Sequence, residues 1–201
     1  MISLTDAELH LVLSCFTRKA LKKGDFILKK GEICNEIIFV NDGLLRVFSK
    51  ENKVVKTLSY TKPSQIVTSI DSFLSGSPSH FSIQAVIQTN VLVITKQNIE
   101  FIYSKIPNTQ RIGMETFDAI AKCFDDQIME MLTLPPLERY RLLVEKSPEI
   151  INNVTLKEIA SFLNVTPQHL SRIRKQKTSN ILSELGLNLV LYLGLTDIFI
   201  N

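Results

Sequence analysis

Two short helices in immediate succession, each with its own start signal, constrain the fold more than any other stretch of this chain. They fall within residues 155–176. Thr155, followed three positions later by Glu158, is a capping box, in which both side chains satisfy backbone N–H groups left free at a helix start. Thr166 and then Pro167 read as an N-cap and a proline at the first helical position, where the missing N–H costs nothing. Leu156, Ile159, Ala160 and Leu163 share one face of the first helix, and Val165, Leu170 and Ile173 can pack against them. That leaves Gln168, His169, Ser171, Arg172, Arg174 and Lys175 outside the shared core. A short helix fixed by its neighbour, with amide, imidazole and guanidinium groups outward, suits the DNA major groove. With Thr166 at the helix start, these are the candidate DNA-binding residues.

Charge points to the same surface. Between Thr155 and Thr178, Lys157, Arg172, Arg174, Lys175 and Lys177 stand against Glu158 alone, a local charge of +4 in a chain of net +3, so the remainder carries −1. A phosphate-contacting surface requires such an excess, and a solvated helix face is the plainer alternative. Composition excludes other classes. A hydrophobic content of 45% over 201 residues fills a globular core. No apolar run is long enough to span a bilayer, and the start lacks the basic and then apolar regions of a secretory signal. Cys15, Cys34 and Cys123 are odd in number and scattered, without the spacing of a metal or iron–sulfur site. A cytoplasmic protein with reduced thiols, no membrane partner and no metal is expected.

Three regions separate along the chain, in an α+β arrangement. Residues 1–106 begin with a capping box, Thr5 and Glu8, and an apolar stripe of Leu9, Val12, Leu13 and Phe16 that predicts an entry helix. From about Leu21 to Thr95 the pattern turns to strands: Phe26–Lys29, Ile37–Val40, Leu44–Ser49, Val54–Tyr60, Phe81–Ile87 and Val91–Thr95. Asn41, Asp42 and Gly43 read as one hairpin turn, and Glu51, Asn52 and Lys53 as another. Short antiparallel strands with regular turns predict a double-stranded β-roll, or jelly roll. Residues 107–134 predict one long helix. On it Met114, Phe117, Ala121, Phe124, Ile128 and Met131 recur at heptad spacing, a seam suited to pairing with the same helix of a second subunit, or to packing on the roll. Pro135 and Pro136 break that helix, and residues 135–201 hold a further helix at Leu137–Lys146, the two capped helices and an apolar tail. In the tail, residues 181–201 fit either a packed helix or a strand.

This order of elements resembles the CRP/FNR family of bacterial transcription regulators. The resemblance rests on residues 23–31, residues 37–43, residues 137–143 and residues 156–175, and covers about residues 5–176. Residues 137–140 and 170–175 are similar to the branch found in Bacteroidetes. The resemblance implies a dimer with a helix–turn–helix, a palindromic operator in double-stranded DNA and contact with RNA polymerase. It places Gln168 and Arg172 at base edges, since Arg pairs with guanine O6 and N7 and Gln with adenine N6 and N7. It gives Arg174, Lys175 and Lys177 to phosphates, and His169 and Ser171 to either.

The departures from the family are as informative. Cyclic-AMP-binding members carry Gly-Glu and then Arg-Ser or Arg-Thr in one cassette. Thr68 and Ser69 stand at the first pair here, Ser79 and His80 at the second. These four form the candidate effector pocket. Without the arginine a buried cyclic phosphate lacks its bidentate partner, so cyclic AMP is not the expected effector. The cysteine cluster of oxygen-sensing members is absent too, so no iron–sulfur cluster is expected; the effector stays unknown. Two other functions remain open. A cupin-like metal enzyme would need clustered ligands, whereas His80 is the roll's only histidine and Ser69, Asp71 and His80 lack the spacing of a catalytic triad. An interaction module that has lost DNA binding would keep the fold and use the apolar tail.

Overall fold

The computed structural model describes residues 4–52 and 54–175. Lys53, Lys177 and the tail at 181–201 lie outside the described residues. The chain opens with α1 (Asp6–Ser14), whose capping box is closed in both directions by Thr5 and Glu8. Eight strands follow: β1 (Thr17–Leu21), β2 (Phe26–Leu28), β3 (Glu36–Asp42), β4 (Leu45–Glu51), β5 (Val54–Thr61), β6 (Ile66–Val67), β7 (Ser82–Ala85) and β8 (Thr89–Thr95). They form two antiparallel sheets, ordered β1-β8-β3-β6 and β2-β7-β4-β5, so the expected roll is present. Leu28, Ile38, Val40, Leu45, Val47, Ile83, Val91 and Val93 fill the space between the sheets. Strand side chains alternate in direction, so Ile37 and Phe39 of β3 face outward. There they meet a second apolar layer from Cys15, Phe73, Ile94 and Ile102.

Two turns read from sequence part ways here. Asn52 sits between β4 and β5 with φ 44°, and Glu51 pairs with Val54, so that hairpin stands. The segment Asn41–Gly43 is not a hairpin. β3 pairs with β6 and β8, while β4 pairs with β5 and β7, so the chain crosses from one sheet to the other at Gly43. Gly43 has φ +101°, and a Cβ there would overlap Thr89. The crossing needs glycine both for its backbone angle and for that close approach. The sequence reading also passed over β1, β6 and three helices: α2 (Ile70–Ser75), α3 (Lys96–Lys105) and one at Pro148–Asn153.

After a short turn at Pro107–Thr109 comes the long helix α4 (Gln110–Thr133). Leu134 is extended before Pro135, as the proline ring demands, and ends it. Three helices follow: α5 (Pro136–Lys146), α6 (Pro148–Asn153) and α7 (Leu156–Phe162). Residues 167–175 are helical and are termed α8. Tyr140, Leu143, Ile150, Ile159, Ala160, Leu163, Leu170 and Ile173 form a core of their own, and Leu44 and Tyr60 of the roll belong to it. No described helix is long and apolar enough to cross a membrane.

Candidate nucleic-acid interface

α7 and α8 are joined by a turn whose hydrogen bonds can be followed atom by atom. Thr155 Oγ1 accepts from Glu158 N at 3.3 Å, and Glu158 Oε2 accepts from Thr155 N at 3.1 Å. At the other end Asn164 takes φ 53°, Val165 N donates to Ala160 O at 2.9 Å and Asn164 N to Ser161 O at 3.2 Å. This is a Schellman closure, with asparagine in the left-handed position that glycine more often fills. Thr166 Oγ1 then accepts from His169 N at 3.1 Å and caps α8. Ala160 and Leu170 are each 0% exposed, so the two helices meet at a methyl group and a leucine.

Burial sorts the α8 residues by face. Leu170 and Ile173 point into the core; Gln168, His169, Arg172, Arg174 and Lys175 are exposed and Ser171 is half-buried. Thr166 is also exposed, and its hydroxyl is engaged by the cap. The one acid of the segment, Glu158, is bound by Arg46. The outward face of α8 therefore carries amides, imidazole and cations.

The sequence reading missed how this helical unit is seated. α7 lies along β5, the edge strand of its sheet. Ser161 Oγ accepts from Thr57 N at 3.0 Å and donates to Val55 O at 3.1 Å, filling two backbone positions that no strand fills. Arg46 points away from the roll interior; its Nε and Nη2 donate to Thr57 Oγ1 at 2.9 and 2.7 Å, and its Nη1 donates to Glu158. Tyr60 meets Phe162 edge-on at 5.3 Å. Lys62 Nζ donates to Lys146 O and Ser147 Oγ at 2.8 and 2.9 Å, and Lys56 Nζ to Asn164 Oδ1 at 3.0 Å. A charged residue between Leu45 and Val47 reads as a solvent-facing strand position. Only the later arrival of α7 buries it.

Inside the roll, three of the four candidate pocket residues come together. Thr68, Ser69 and Ser79 are 1%, 3% and 2% exposed. Their hydroxyls are bonded within the protein: Ser79 Oγ donates to Ser69 Oγ at 3.0 Å, and Thr68 Oγ1 donates to Glu36 O at 2.9 Å. Ser72 joins them by accepting from Cys34 N at 2.8 Å. His80 does not join them. It lies in the bend just before β7, and its ring is 84% exposed and 3.9 Å from Asp71. Ser69 and Ser79 thus bond each other, while Thr68 and Ser72 bond backbone groups, so these hydroxyls are already engaged within the protein. No group of three or more His, Cys, Asp or Glu side chains is placed to hold a metal among the described residues.

α4 divides the heptad seam. Phe117 turns to the roll, its ring 6.2 Å from Phe73, and Phe124 is half-buried. Met114, Ala121, Ile128 and Met131 are exposed, the first by 70%. Ile120, outside the seam, is the residue of α4 that is buried. Arg139 Nη1 donates to Met131 O at 2.8 Å and ties α5 to the last turn of α4.

Residues 18–105 match the family model of the cyclic nucleotide-binding domain. The roll is thus of that type in fold. No curated protein matches the chain. Among solved structures, CLP, the c-di-GMP-responsive global regulator of Xanthomonas campestris, is similar with a TM-score of 0.68 at 14% identity, over 88% of this chain and 93% of that one. FixK2 from Bradyrhizobium japonicum gives 0.67 at 15% identity, over 82% and 85%. A protein described as a transcriptional regulator of the CRP/FNR family from Eubacterium rectale gives 0.67 at 17% identity, over 88% and 85%. At these identities the likeness is one of fold, and it extends across roll and helices alike.

Proposed function

We propose that this protein is a dimeric, sequence-specific DNA-binding transcription regulator of the CRP/FNR type, in the Bacteroidetes-like branch, that does not respond to cyclic AMP. The observation that carries the reading is α8: one face buried on α7 through Leu170 and Ile173, the other presenting Gln168, His169, Arg172, Arg174 and Lys175 to solvent. As a helix–turn–helix, α7 and α8 would set α8 in the major groove with Gln168 and Arg172 at base edges, and Arg174 and Lys175 near phosphates. Pairing through Met114, Ala121, Ile128 and Met131 of α4 would place two such units on a palindromic operator, within reach of RNA polymerase. The hydroxyl cluster in the roll supports the exclusion of cyclic AMP.

The deciding experiment selects bound fragments from genomic DNA and then compares wild type with Arg172→Ala on selected and random duplexes at several salt concentrations. The variant is expected to lose about 1–3 kcal/mol on the selected site, and far less on random DNA. Equal loss on both would remove Arg172 from base recognition. No salt-dependent binding by the wild type would favour an interaction module that keeps the fold without binding DNA.

A further inference from the structure

A cavity lies outside the roll. It measures about 110 Å³ and sits between the outer face of β3 and β8 and the helices α1, α3 and α4. Phe16, Phe39, Ile94, Ile99, Ile112 and Phe117 supply much of its wall. Ile38 and Val40 of the same strand point the other way, into the roll, so a sheet separates this cavity from the hydroxyl cluster.

Its chemistry selects its occupant. Thr109 and Thr116 line it, yet both hydroxyls donate to helix carbonyls, of Ile106 at 2.6 Å and Ile112 at 2.8 Å. No charged side chain lines it. Tyr103 is the exception to this apolar wall: its hydroxyl rests against Gly113, where any Cβ would collide with it, and it has no hydrogen-bond partner among the described residues. Glycine in a helix interior is unfavourable by about 1 kcal/mol relative to alanine, so Gly113 keeps open a position that helix propensity would close. An apolar cavity of roughly 150 Å³ stays dry and takes benzene, which sets the scale.

We propose that this cavity is a binding site for a neutral, single-ring compound with one hydrogen-bonding substituent, phenol being the simplest, with Tyr103 as its polar contact. A cyclic nucleotide is too large and too charged for it. Phe117 both lines the cavity and belongs to the heptad seam, so a bound ring would touch the helix expected to carry the dimer. That connection rests on the dimer reading; the site itself does not.

The test uses the full chain with isoleucine methyl labels, titrated with phenol and with benzene and followed by NMR. Both probes are expected to shift Ile94, Ile99, Ile102 and Ile112 saturably and to leave Ile38 and Ile83 of the roll interior unmoved. Thr116→Leu, which fills the cavity, should abolish the shifts while circular dichroism stays that of wild type. Tyr103→Phe should weaken phenol about fivefold, the worth of one neutral hydrogen bond, and spare benzene. No saturable shift in wild type, shifts centred on Ile38 and Ile83, or equal shifts in a folded Thr116→Leu would overturn the site. Unchanged phenol affinity in Tyr103→Phe would overturn the role of the hydroxyl. Should Thr116→Leu not fold, the wild-type and Tyr103→Phe titrations decide the matter.

Discussion

Glu158 Oε1 accepts from Arg46 Nη1 at 2.5 Å while Glu158 Oε2 accepts from Thr155 Oγ1 at 2.7 Å, so one carboxylate holds both the start of α7 and a strand 112 residues away. The Arg46 side chain is 10% exposed and that of Glu158 32%. Arg46→Ala strands a half-buried carboxylate and removes two hydrogen bonds to Thr57, and is expected to cost about 2–3 kcal/mol in urea unfolding. Glu158→Gln keeps an acceptor for the cap but leaves Arg46 without its counter-charge. A double-mutant cycle should return a coupling of about 1–3 kcal/mol. Coupling near zero would mean that the pair contributes nothing to seating the helices.

Ser161 makes a second, uncharged tie. Ser161→Ala removes its hydroxyl from between Thr57 N and Val55 O, and should destabilise the protein by about 1–2 kcal/mol. Amide hydrogen exchange at Thr57 reads the effect directly. Unchanged protection there would show that the contact does not persist in solution.

Tyr60 makes the same junction sensitive to alkali. Burial pushes its phenol up from 10.0 to about 12, and its hydroxyl finds no partner of hydrogen-bonding geometry among the described residues. The folded state therefore holds the Tyr60 proton more tightly than the unfolded state does. Its contribution to stability is fully present below pH 10 and is lost as pH rises toward about 12. A shift of that size corresponds to roughly 2–3 kcal/mol. Tyr60→Phe should be neutral or slightly stabilising at pH 7 and should flatten the decline in stability above pH 10. An equally steep decline in the variant would assign the alkaline transition to other groups.

On α4, Ile128 is 49% exposed at a seam position. Ile128→Lys should leave the melting temperature of the fold within a few degrees and move the sedimentation coefficient toward that of a monomer. A dimer of unchanged affinity in the variant would place the subunit contact elsewhere.

How far the residues alone reveal this molecule depends on the range of the interaction. Capping boxes at Thr5 and Thr155 and the proline break after Leu134 are local and were readable, because every atom they need lies within four residues. The strands at β3, β4, β5 and β8 show through their richness in β-branched and aromatic residues. β1, with Thr17, Arg18 and Lys19 on a mostly exposed edge, shows no apolar alternation. β6 has only two residues, too few for a period. The crossing at Gly43 resembles a hairpin because glycine after asparagine and aspartate serves both turns; the pairing that distinguishes them is long-range. Position in the chain groups His80 with Ser79, and the bend before β7 separates them: Ser79 is buried while His80 is exposed. Arg46 and Glu158 carried no signal of each other, since neither helix periodicity nor strand alternation links elements so far apart.

The hydroxyl of Ser161 has a consequence beyond stability. An uncovered edge strand offers a row of free N–H and C=O groups to any other chain, and proteins guard such edges against unwanted strand addition. Here the guard is the helix that would also steady α8. Any swing of the C-terminal helices away from β5 bares Val55 O and Thr57 N, so the freedom of that unit to reorient and the tendency of the protein to self-associate into larger β-structures are tied to one contact.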